Sequence, residues 1–515
     1  MKRRLSVILC FLSFLFFSGD VFSKNQENFI GNWKGEISVQ GMKLELVFKI
    51  NFLKDQDKDL QWQTRLDVPA QRLKNFAVDQ TVIKKKKIQL VLNSLNAEFQ
   101  GKLIDTNTIK GVFTQRGQSF ELILTKFHGE VKPKNRPQTP VGPFDYVSRD
   151  VQFSNSRGSI RFAGTITHPP KSTENQRFKT VILISGSGAQ DRDETLFDHK
   201  PFAVIADHLT KNGYAVLRVD DRGAGNTICA ASELNFTTAD LVYDAEDFVN
   251  FMADTIADLK HIYLMGHSEG SAIIAMLAAK NNELKFPIQG IIGVGTPLVE
   301  GIEIIKYQNE ESMKATRLSD AEIRVYMDLV SDFLNYSKDL GIKERNQGRS
   351  KNLPLSIQEF DSTYNRLMRN WEERNSPSTI KRIKKKMNKI SKQEFDALNR
   401  QSFQSVAYNR WMGYFLGLNP FEYWSNSTVN RVIINGELDS QVPESLTKEA
   451  AQTIQNNPNL QQKSGNKLFK YILLPKHNHL MQECIKGTVD EYQQIDQTMS
   501  QLFLDTLLLE LNTMP

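Results

Sequence analysis

The chain has 515 residues, 40% of them hydrophobic and 24% charged, with a formal net charge of +6. That length and apolar content allow a large buried core in two or three domains and exclude a disordered or fibrous chain. The mildly basic balance gives no reason to expect nucleic acid as a partner, and three cysteines are too few for a disulfide scaffold.

Met1-Lys-Arg-Arg4 is followed by an apolar run, Leu5 to Phe17, and then by Val21-Phe22-Ser23 ahead of Lys24. A charged start, a short apolar middle and a small residue at the end predict a secretory signal over residues 1–23, hence an exported protein, periplasmic or extracellular. The run of about 13 residues falls short of the roughly 20 that a spanning helix needs, so no stable membrane anchor is expected. Cys10 lies too early, and Val7-Ile8-Leu9 lacks the small residues that precede a lipidated cysteine. Removing residues 1–23 takes away Lys2, Arg3, Arg4 and Asp20 and leaves a formal charge of +4. Cys229 and Cys484 remain, and export would permit a single bridge between them.

Residues 24–127 read as an antiparallel β domain. Trp33, Ile37 and Val39 precede Gln40-Gly41, and Leu44, Leu46, Phe48 and Ile50 then alternate with mostly polar neighbours. Lys84 to Lys87 reads as a solvated hairpin edge protected by charge. No catalytic cluster stands out here. Residues 128–143, HGEVKPKNRPQTPVGP, have proline and charge but no apolar period, and read as a linker.

From residue 144 to 515 the pattern changes to strands alternating with helices. Tyr146 to Phe153 and Ser159 to His168 form a first strand pair. The strands Thr180 to Ser185, Tyr214 to Val219, Ile262 to Met265, Ile288 to Val294, Arg431 to Asn435 and Phe469 to Leu474 follow, with helices at Pro201 to Asn212 and Thr238 to Met252. This alternation predicts a mostly parallel sheet with helices on both faces, which binds ligands at the carboxyl ends of its strands. About residues 298–428 break the alternation. Ser319/Glu322, Ser356/Glu359 and Ser391/Glu394 are capping-box pairs ahead of apolar periodic runs, so a helical insertion is expected where a lid over the site would lie. Lys381 to Lys389 places Ile383, Met387 and Ile390 on one narrow face, which favours a solvated lid helix over a membrane-surface helix.

His261 to Lys280, HIYLMGHSEGSAIIAMLAAK, reads as strand, tight turn, helix, with G-x-S-x-G at Gly266 to Gly270. By composition alone such a match arises roughly 0.1 to 0.2 times in a chain this long, so its meaning depends on context. In that context Ser268 sits on a nucleophile elbow. A serine hydroxyl needs a base and an acid that orients it, and these follow in the order Ser, Asp or Glu, His. The loop after Arg431 to Asn435 offers Asp439, with Glu437 as the weaker choice. The loop after Phe469 to Leu474 offers His477 and His479. The N–H of Glu269 is one expected oxyanion donor, and Ser187 or Gly188 in Ser185-Gly-Ser-Gly-Ala-Gln190 supplies the other. No Lys-Ser/Thr follows that glycine loop, so it does not read as a phosphate cradle. Nothing points to a metal or an organic cofactor: the histidines are scattered, and His477/His479 has neither helical spacing nor cysteine partners.

Five separated motifs carry a family resemblance. Ser185-Gly-Ser-Gly-Ala-Gln-Asp-Arg-Asp-Glu194, Leu217-Arg-Val-Asp-Asp-Arg-Gly223, Gly266-His-Ser-Glu-Gly270, Gly436-Glu-Leu-Asp439 with Gln441-Val-Pro443, and Asn478-His-Leu480 occur in order. Together they resemble the bacterial α/β-hydrolases grouped with esterase D of the dienelactone-hydrolase-like or serine aminopeptidase-like set. The likeness spans about residues 145 to 510. It implies an α/β-hydrolase fold with a helical lid insertion, and in its pattern the Asn-His-Leu histidine is the base, which favours His479 over His477. Gly31-Asn-Trp-Lys-Gly35 and Leu66-Asp-Val-Pro-Ala-Gln71 resemble the β domain that precedes such hydrolases in some exported bacterial members. The insertion departs from the family's pattern in being longer and more basic. The expectation is an exported serine hydrolase acting on small-molecule carboxylic esters of small to medium acyl groups. The alternatives are a serine peptidase or amidase with the same triad, and a non-catalytic glycan- or peptide-binding protein on a hydrolase scaffold. The sequence leaves the oligomeric state open.

Overall fold

The computed structural model describes residues 27–39, 42–54, 60–68, 73–92, 97–115, 118–127, 136–314, 316–347, 356–387, 394–465 and 467–514. The expected signal segment, the first half of the expected linker and Ser391 lie outside these residues.

The N-terminal strands are β1 (Gly31–Val39), β2 (Met42–Lys54), β3 (Leu60–Val68), β4 (Leu73–Ala77), β5 (Gln80–Lys84), β6 (Lys87–Leu92), β7 (Ala97–Asp105), β8 (Thr108–Gln115) and β9 (Gln118–Phe127). They form one antiparallel sheet in the order β4-β3-β2-β1-β9-β8-β7-β6-β5. The sheet curls until its ends meet, and Thr81 Oγ1 on β5 donates to Thr64 Oγ1 on β3 at 3.0 Å. Period-two alternation sends Trp33, Phe48, Leu90, Phe99 and Leu122 inward, all with no exposed area, so side chains fill the interior. Lys84 pairs with Lys87 at the tip of the β5–β6 hairpin, where all four lysines are exposed. This cluster is completed by Phe197, Leu480 and Tyr492 from the second half of the chain.

The second sheet contains β10 (Val147–Ser154), β11 (Ile160–His168), β12 (Phe178–Ile184), β13 (Ala215–Val219), β14 (Ile228–Cys229), β15 (Ala257–His267), β16 (Gly290–Val294), β17 (Asn430–Gly436) and β18 (Phe469–Leu474). Its order is β10-β11-β13-β12-β15-β16-β17-β18, with β14 paired to β11. From β13 through β12 to β18 the pairs are parallel. Residues of β12, β13 and β16 are almost all buried, as expected for strands covered on both faces.

Helices α1 (Pro201–Lys211), α2 (Thr238–Thr255) and α3 (Glu269–Ala278) follow β12, β13 and β15. Between β16 and β17 come α4 (Gly301–Lys314), α5 (Asp320–Gln347), α6 (Ile357–Arg374), α7 (Pro377–Met387), α8 (Glu394–Ala407), α9 (Arg410–Leu416) and α10 (Pro420–Asn426); α11 (Lys448–Asn456) and α12 (Gln501–Thr513) come later, with two shorter helices at Pro458–Lys463 and Val489–Tyr492. One sheet face packs on α2, α3 and α11 through Phe248, Met252, Ile274 and Ile454. The other packs on α1 and α12 through Phe202, Ile205, Phe503 and Leu507. An N-terminal antiparallel domain followed by a mixed sheet with helices on both faces is the fold class expected from the sequence.

Ser319/Glu322 and Ser356/Glu359 form reciprocal capping boxes at the starts of α5 and α6. The insertion has its own apolar cluster, centred on Leu329, Trp371, Ile383 and Phe403. In the basic run, Ile383 is buried in that cluster and Met387 packs against it, Ile390 lies outside the described residues, and Lys386 pairs with Glu322 at 2.6 Å and Lys384 with Glu372 at 2.7 Å.

The described part of residues 128–143 is strapped to two loops of the second half of the chain. Arg136, 2% exposed, donates to the carbonyls of Phe197 (2.8 Å), Ile495 (2.8 Å) and Gln493 (3.1 Å). Gln138 donates to Met499 O and accepts from the N–H groups of Thr498 and Met499. Truncating Arg136 would leave the buried Phe197 carbonyl without its donor. Arg136→Ala is therefore expected to lower stability by about 2 to 4 kcal/mol, read as a lower urea midpoint with an unchanged slope. An unchanged midpoint would mean that the segment is a free tether.

Candidate active site

Chain direction reverses between β12 and β15: from β12 the chain goes outward to β13, and from β15 it proceeds the other way to β16. Crevices at such switch points lie outside the carboxyl ends of the strands. The loop after β12 carries Gly186 to Gln190, and the turn after β15 carries Ser268.

Ser268 has φ 52° and ψ −119°, a conformation that costs a non-glycine residue about 1 to 3 kcal/mol. The neighbours that enforce it are specific. A methyl at Gly270 would lie 2.3 Å from the carbonyl oxygen of Ile184, so α3 can start against β12 only with glycine there. Ser268 N–H donates to Val294 O at 2.8 Å, and Ser271 Oγ donates to Ser268 O at 2.5 Å. The serine itself stays partly exposed while both its neighbours are buried.

Asp439 lies after β17 and His479 after β18. His479 Nδ1 is 2.7 Å from Asp439 Oδ2, and the two side chains are 4% and 0% exposed. Asp439 Oδ1 also accepts from the N–H groups of Gln441 and Val442, each at 2.8 Å. A carboxylate at Nδ1 fixes the proton there and leaves Nε2 as the acceptor nitrogen. The ring sits against the turn that follows β16, where a methyl on Gly295 would lie 2.8 Å from His479 Cε1. His477 is turned away, between Pro475 O at 2.7 Å and Ser500 Oγ at 2.5 Å. Glu437 instead accepts from Lys476 N–H at 2.9 Å.

Glu269 opens α3, where a helix leaves its first N–H groups without intrahelical partners. Ser187 and Gly188 lie on the facing loop, and a methyl at Gly186 would sit 3.2 Å from Ser268 Cβ. Three charged residues of the Leu217 to Gly223 motif support this region. Asp220 holds Arg192 at 2.8 Å, and this pairing keeps its carboxyl below the ordinary value although burial alone would raise it. Asp221 accepts from Ser185 Oγ at 2.7 Å and Gln190 N–H at 3.0 Å, clamping both ends of the loop from Ser185 to Gln190, and burial pushes its carboxyl up to about 8. Arg222 forks onto Asp244 at 2.5 and 2.6 Å.

Three side chains at the site lie within conspicuous motifs, but nothing local in the sequence announces their partners. Glu269 Oε1 accepts from Thr238 Oγ1 at 2.6 Å and from Trp411 Nε1 at 2.8 Å, which joins the elbow to α2 and to the insertion. Burial raises its carboxyl above the ordinary value against the pull of those donors. Glu194 and His267 form a buried pair at 2.8 Å. They stand 73 residues apart in the chain, so only the folded sheet brings them together.

Cys229 and Cys484 are free thiols and form no bridge. Burial raises the Cys484 thiol to about 11. Among the described residues no group of three His, Cys, Asp or Glu could hold a metal ion, and no helix is long and apolar enough to cross a membrane.

Residues 199–327 match the family model described as Hydrolase_4, serine aminopeptidase, S33. Esterase EstD of Thermotoga maritima is 29% identical over 159 residues, which cover 30% of this chain and 34% of that protein. The chain thus matches only about a third of the length of this relative. Solved structures that align include the α/β hydrolase GrgF from Penicillium sp. sh18 (15% identical, 72% of this chain and 99% of that one, TM-score 0.39). Pyrococcus furiosus esterase PF2001 also aligns (15% identical, 75% and 99%, TM-score 0.35). The chain carries the α/β-hydrolase fold and is similar in sequence to the esterase-like group within it.

Proposed function

We propose that the protein is an exported serine hydrolase that cleaves carboxylic esters of small to medium acyl groups through an acyl-enzyme on Ser268. The observation that carries this reading is the buried 2.7 Å contact between His479 Nδ1 and Asp439 Oδ2, on loops adjacent to a serine held at positive φ on a strand-to-helix turn. His479 Nε2 takes the Ser268 proton as Oγ attacks the acyl carbonyl, and Asp439 stabilises the imidazolium that forms. The oxyanion is met by the N–H of Glu269 and by an N–H from Ser187 or Gly188, dipoles already oriented before the charge appears. His479 returns the proton to the departing alkoxide, then activates the water that releases the acyl group. The insertion acts as a lid, since Trp411 reaches Glu269 and Gln308 Nε2 reaches the carbonyl of Gln441 beside Asp439. The charged, apolar and small-residue pattern of residues 1–23 supports export.

The description of the matched family as serine aminopeptidases favours a second reading, amide hydrolysis by the same triad. An amine leaving group must be protonated by His479 as it departs, which makes the proton return more demanding than for an alkoxide.

The purified protein should hydrolyse p-nitrophenyl esters from acetyl to hexanoyl faster than the palmitoyl ester and faster than aminoacyl amides. Ser268→Ala should lower kcat by about 10⁴-fold or more. Preferred turnover of the amides would promote the peptidase reading. If neither class is turned over and a serine-directed phosphonate leaves Ser268 unlabelled, the enzyme reading falls.

Asp439→Asn keeps the shape of the loop but allows the wrong imidazole tautomer. It is expected to reduce kcat by about 10³- to 10⁴-fold with little change in KM. Glu437→Gln, at an exposed turn position, should stay close to the parent in the same assay, and the reverse ranking would reassign the acid.

A further inference from the structure

His267 precedes the elbow serine and is 8% exposed, with an acceptor at each ring nitrogen. Nδ1 lies 2.8 Å from Glu194 Oε1, and Nε2 lies 3.1 Å from the backbone carbonyl of His479. Neither a carboxylate nor a carbonyl can donate, so both hydrogen bonds are made only when the ring carries two protons. Burial alone would disfavour that cation. The Glu194 charge and hydrogen bond, the His479 carbonyl and the more distant Asp439 outweigh it and raise the ring above its ordinary value. Glu194 Oε1 has a second donor, the N–H of Gly186 at 2.8 Å. The carboxylate itself is held by a tight turn: Glu194 has φ 50°, and its N–H donates to Asp191 O at 2.8 Å. Asp221, under the same loop, is the other acid that faces Glu194.

These contacts join three segments that must keep register for the proposed chemistry. Gly186 belongs to the oxyanion loop, His267 to the elbow and His479 O to the base loop. The rings of His267 and His479 stand 4.7 Å apart between centroids. Both nitrogens of His267 are occupied, so it is not itself placed to act as the base.

We propose that Glu194 and His267 are positioning residues, a buried carboxylate–imidazole pair that locks the oxyanion loop and the base loop onto the nucleophile elbow. The inference rests on the reading of Ser268, Asp439 and His479 as a triad. Gly186 N–H, already committed to Glu194, is thereby not an oxyanion donor, which leaves that role to Ser187 or Gly188. When the pair is broken, the serine remains and substrate still binds, but base and oxyanion donors drift relative to the reacting carbonyl.

The test uses the full-length protein and its Glu194→Gln, His267→Gln and double variants. Histidine-selective ¹⁵N spectra report the protonation of His267 whether or not the protein is active. A fluorophosphonate titration of Ser268 counts competent folded sites, and ester kinetics are expressed per titrated site. The parent should show His267 with both nitrogens protonated at neutral pH, and Glu194→Gln should lose that state. Each single variant should lose about 10- to 100-fold in kcat, the scale of an ångström-level misplacement, with KM little changed. The double variant should fall no further than the worse single one, because the two residues act as one unit. The proposal is overturned by a kcat per titrated site for Glu194→Gln equal to the parent's. Single losses that multiply in the double variant, or a His267 with one bare nitrogen in the parent, would also overturn it. If the parent shows the doubly protonated ring but neither hydrolyses esters nor reacts with the phosphonate, the hydrolase reading has failed and the positioning role fails with it.

Discussion

The contact between Gly270 and the end of β12 sets the geometry of the turn that carries Ser268. With 2.3 Å between a would-be Cβ and the Ile184 carbonyl oxygen, only a residue without a side chain lets α3 begin there. That approach bends the chain sharply after β15 and forces Ser268 to positive φ. The strain persists because its surroundings over-determine it: a backbone bond to Val294, the Ser271 hydroxyl on its carbonyl, and an α3 helix whose residues are all buried. Partners then have to arrive from the carboxyl ends of neighbouring strands, and β17 and β18 deliver Asp439 and His479 side by side.

The N-terminal domain is bound into this arrangement through its core. A curled nine-stranded sheet filled by Trp33, Phe48 and Phe99 is open at one end, and Phe197, Leu480 and Tyr492 close it. Each of these stands next to a site element. Leu480 follows His479, Phe197 lies three residues after Glu194, and Tyr492 OH accepts from Gln441 Nε2 at 3.0 Å in the Asp439 loop. Apolar burial is worth about 25 cal/mol per Å². A displacement of the base loop therefore uncovers part of a second hydrophobic core, and the two halves of the chain stabilise one another at that surface.

Much of this was legible in the sequence because it depends on local pattern. Period-two alternation marked the first sheet, short apolar runs marked the parallel strands, and capping boxes at Ser319 and Ser356 marked two insertion helices. Strand ends were less legible. β15 begins at Ala257, five residues before the apolar run at Ile262, because Ala257 pairs with Phe178 across an irregularity that leaves no alternating pattern. The burial of Arg136 was hidden for a different reason. Proline and charge around it read as a tether, and its acceptors at Phe197, Gln493 and Ile495 are supplied by loops more than sixty or three hundred residues away. The pairing of Glu194 with His267, and the burial of Phe197 in the core of the first sheet, share that property. Long-range pairing that obeys no period leaves no trace in a single sequence, although the residues involved lie inside or beside motifs that were conspicuous for other reasons.

The insertion packs on an interior of its own, apart from the sheet that carries Ser268. Its apolar cluster around Trp371 and Phe403 is separate from the clusters on the two sheet faces, so it folds largely on its own interior. Its two ends share the main core, through Leu298 and Ile305 at the start and Phe415, Leu418 and Trp424 at the end. Toward the site it presents single polar contacts, Trp411 on Glu269 and Gln308 on the Gln441 carbonyl. Polar contacts of this kind are each worth about 1 kcal/mol net, far less than the packing that holds α9 and α10. The ends of the insertion are therefore fixed by packing on the sheet that carries Ser268, Asp439 and His479, and the proposed lid role falls to the helices between them.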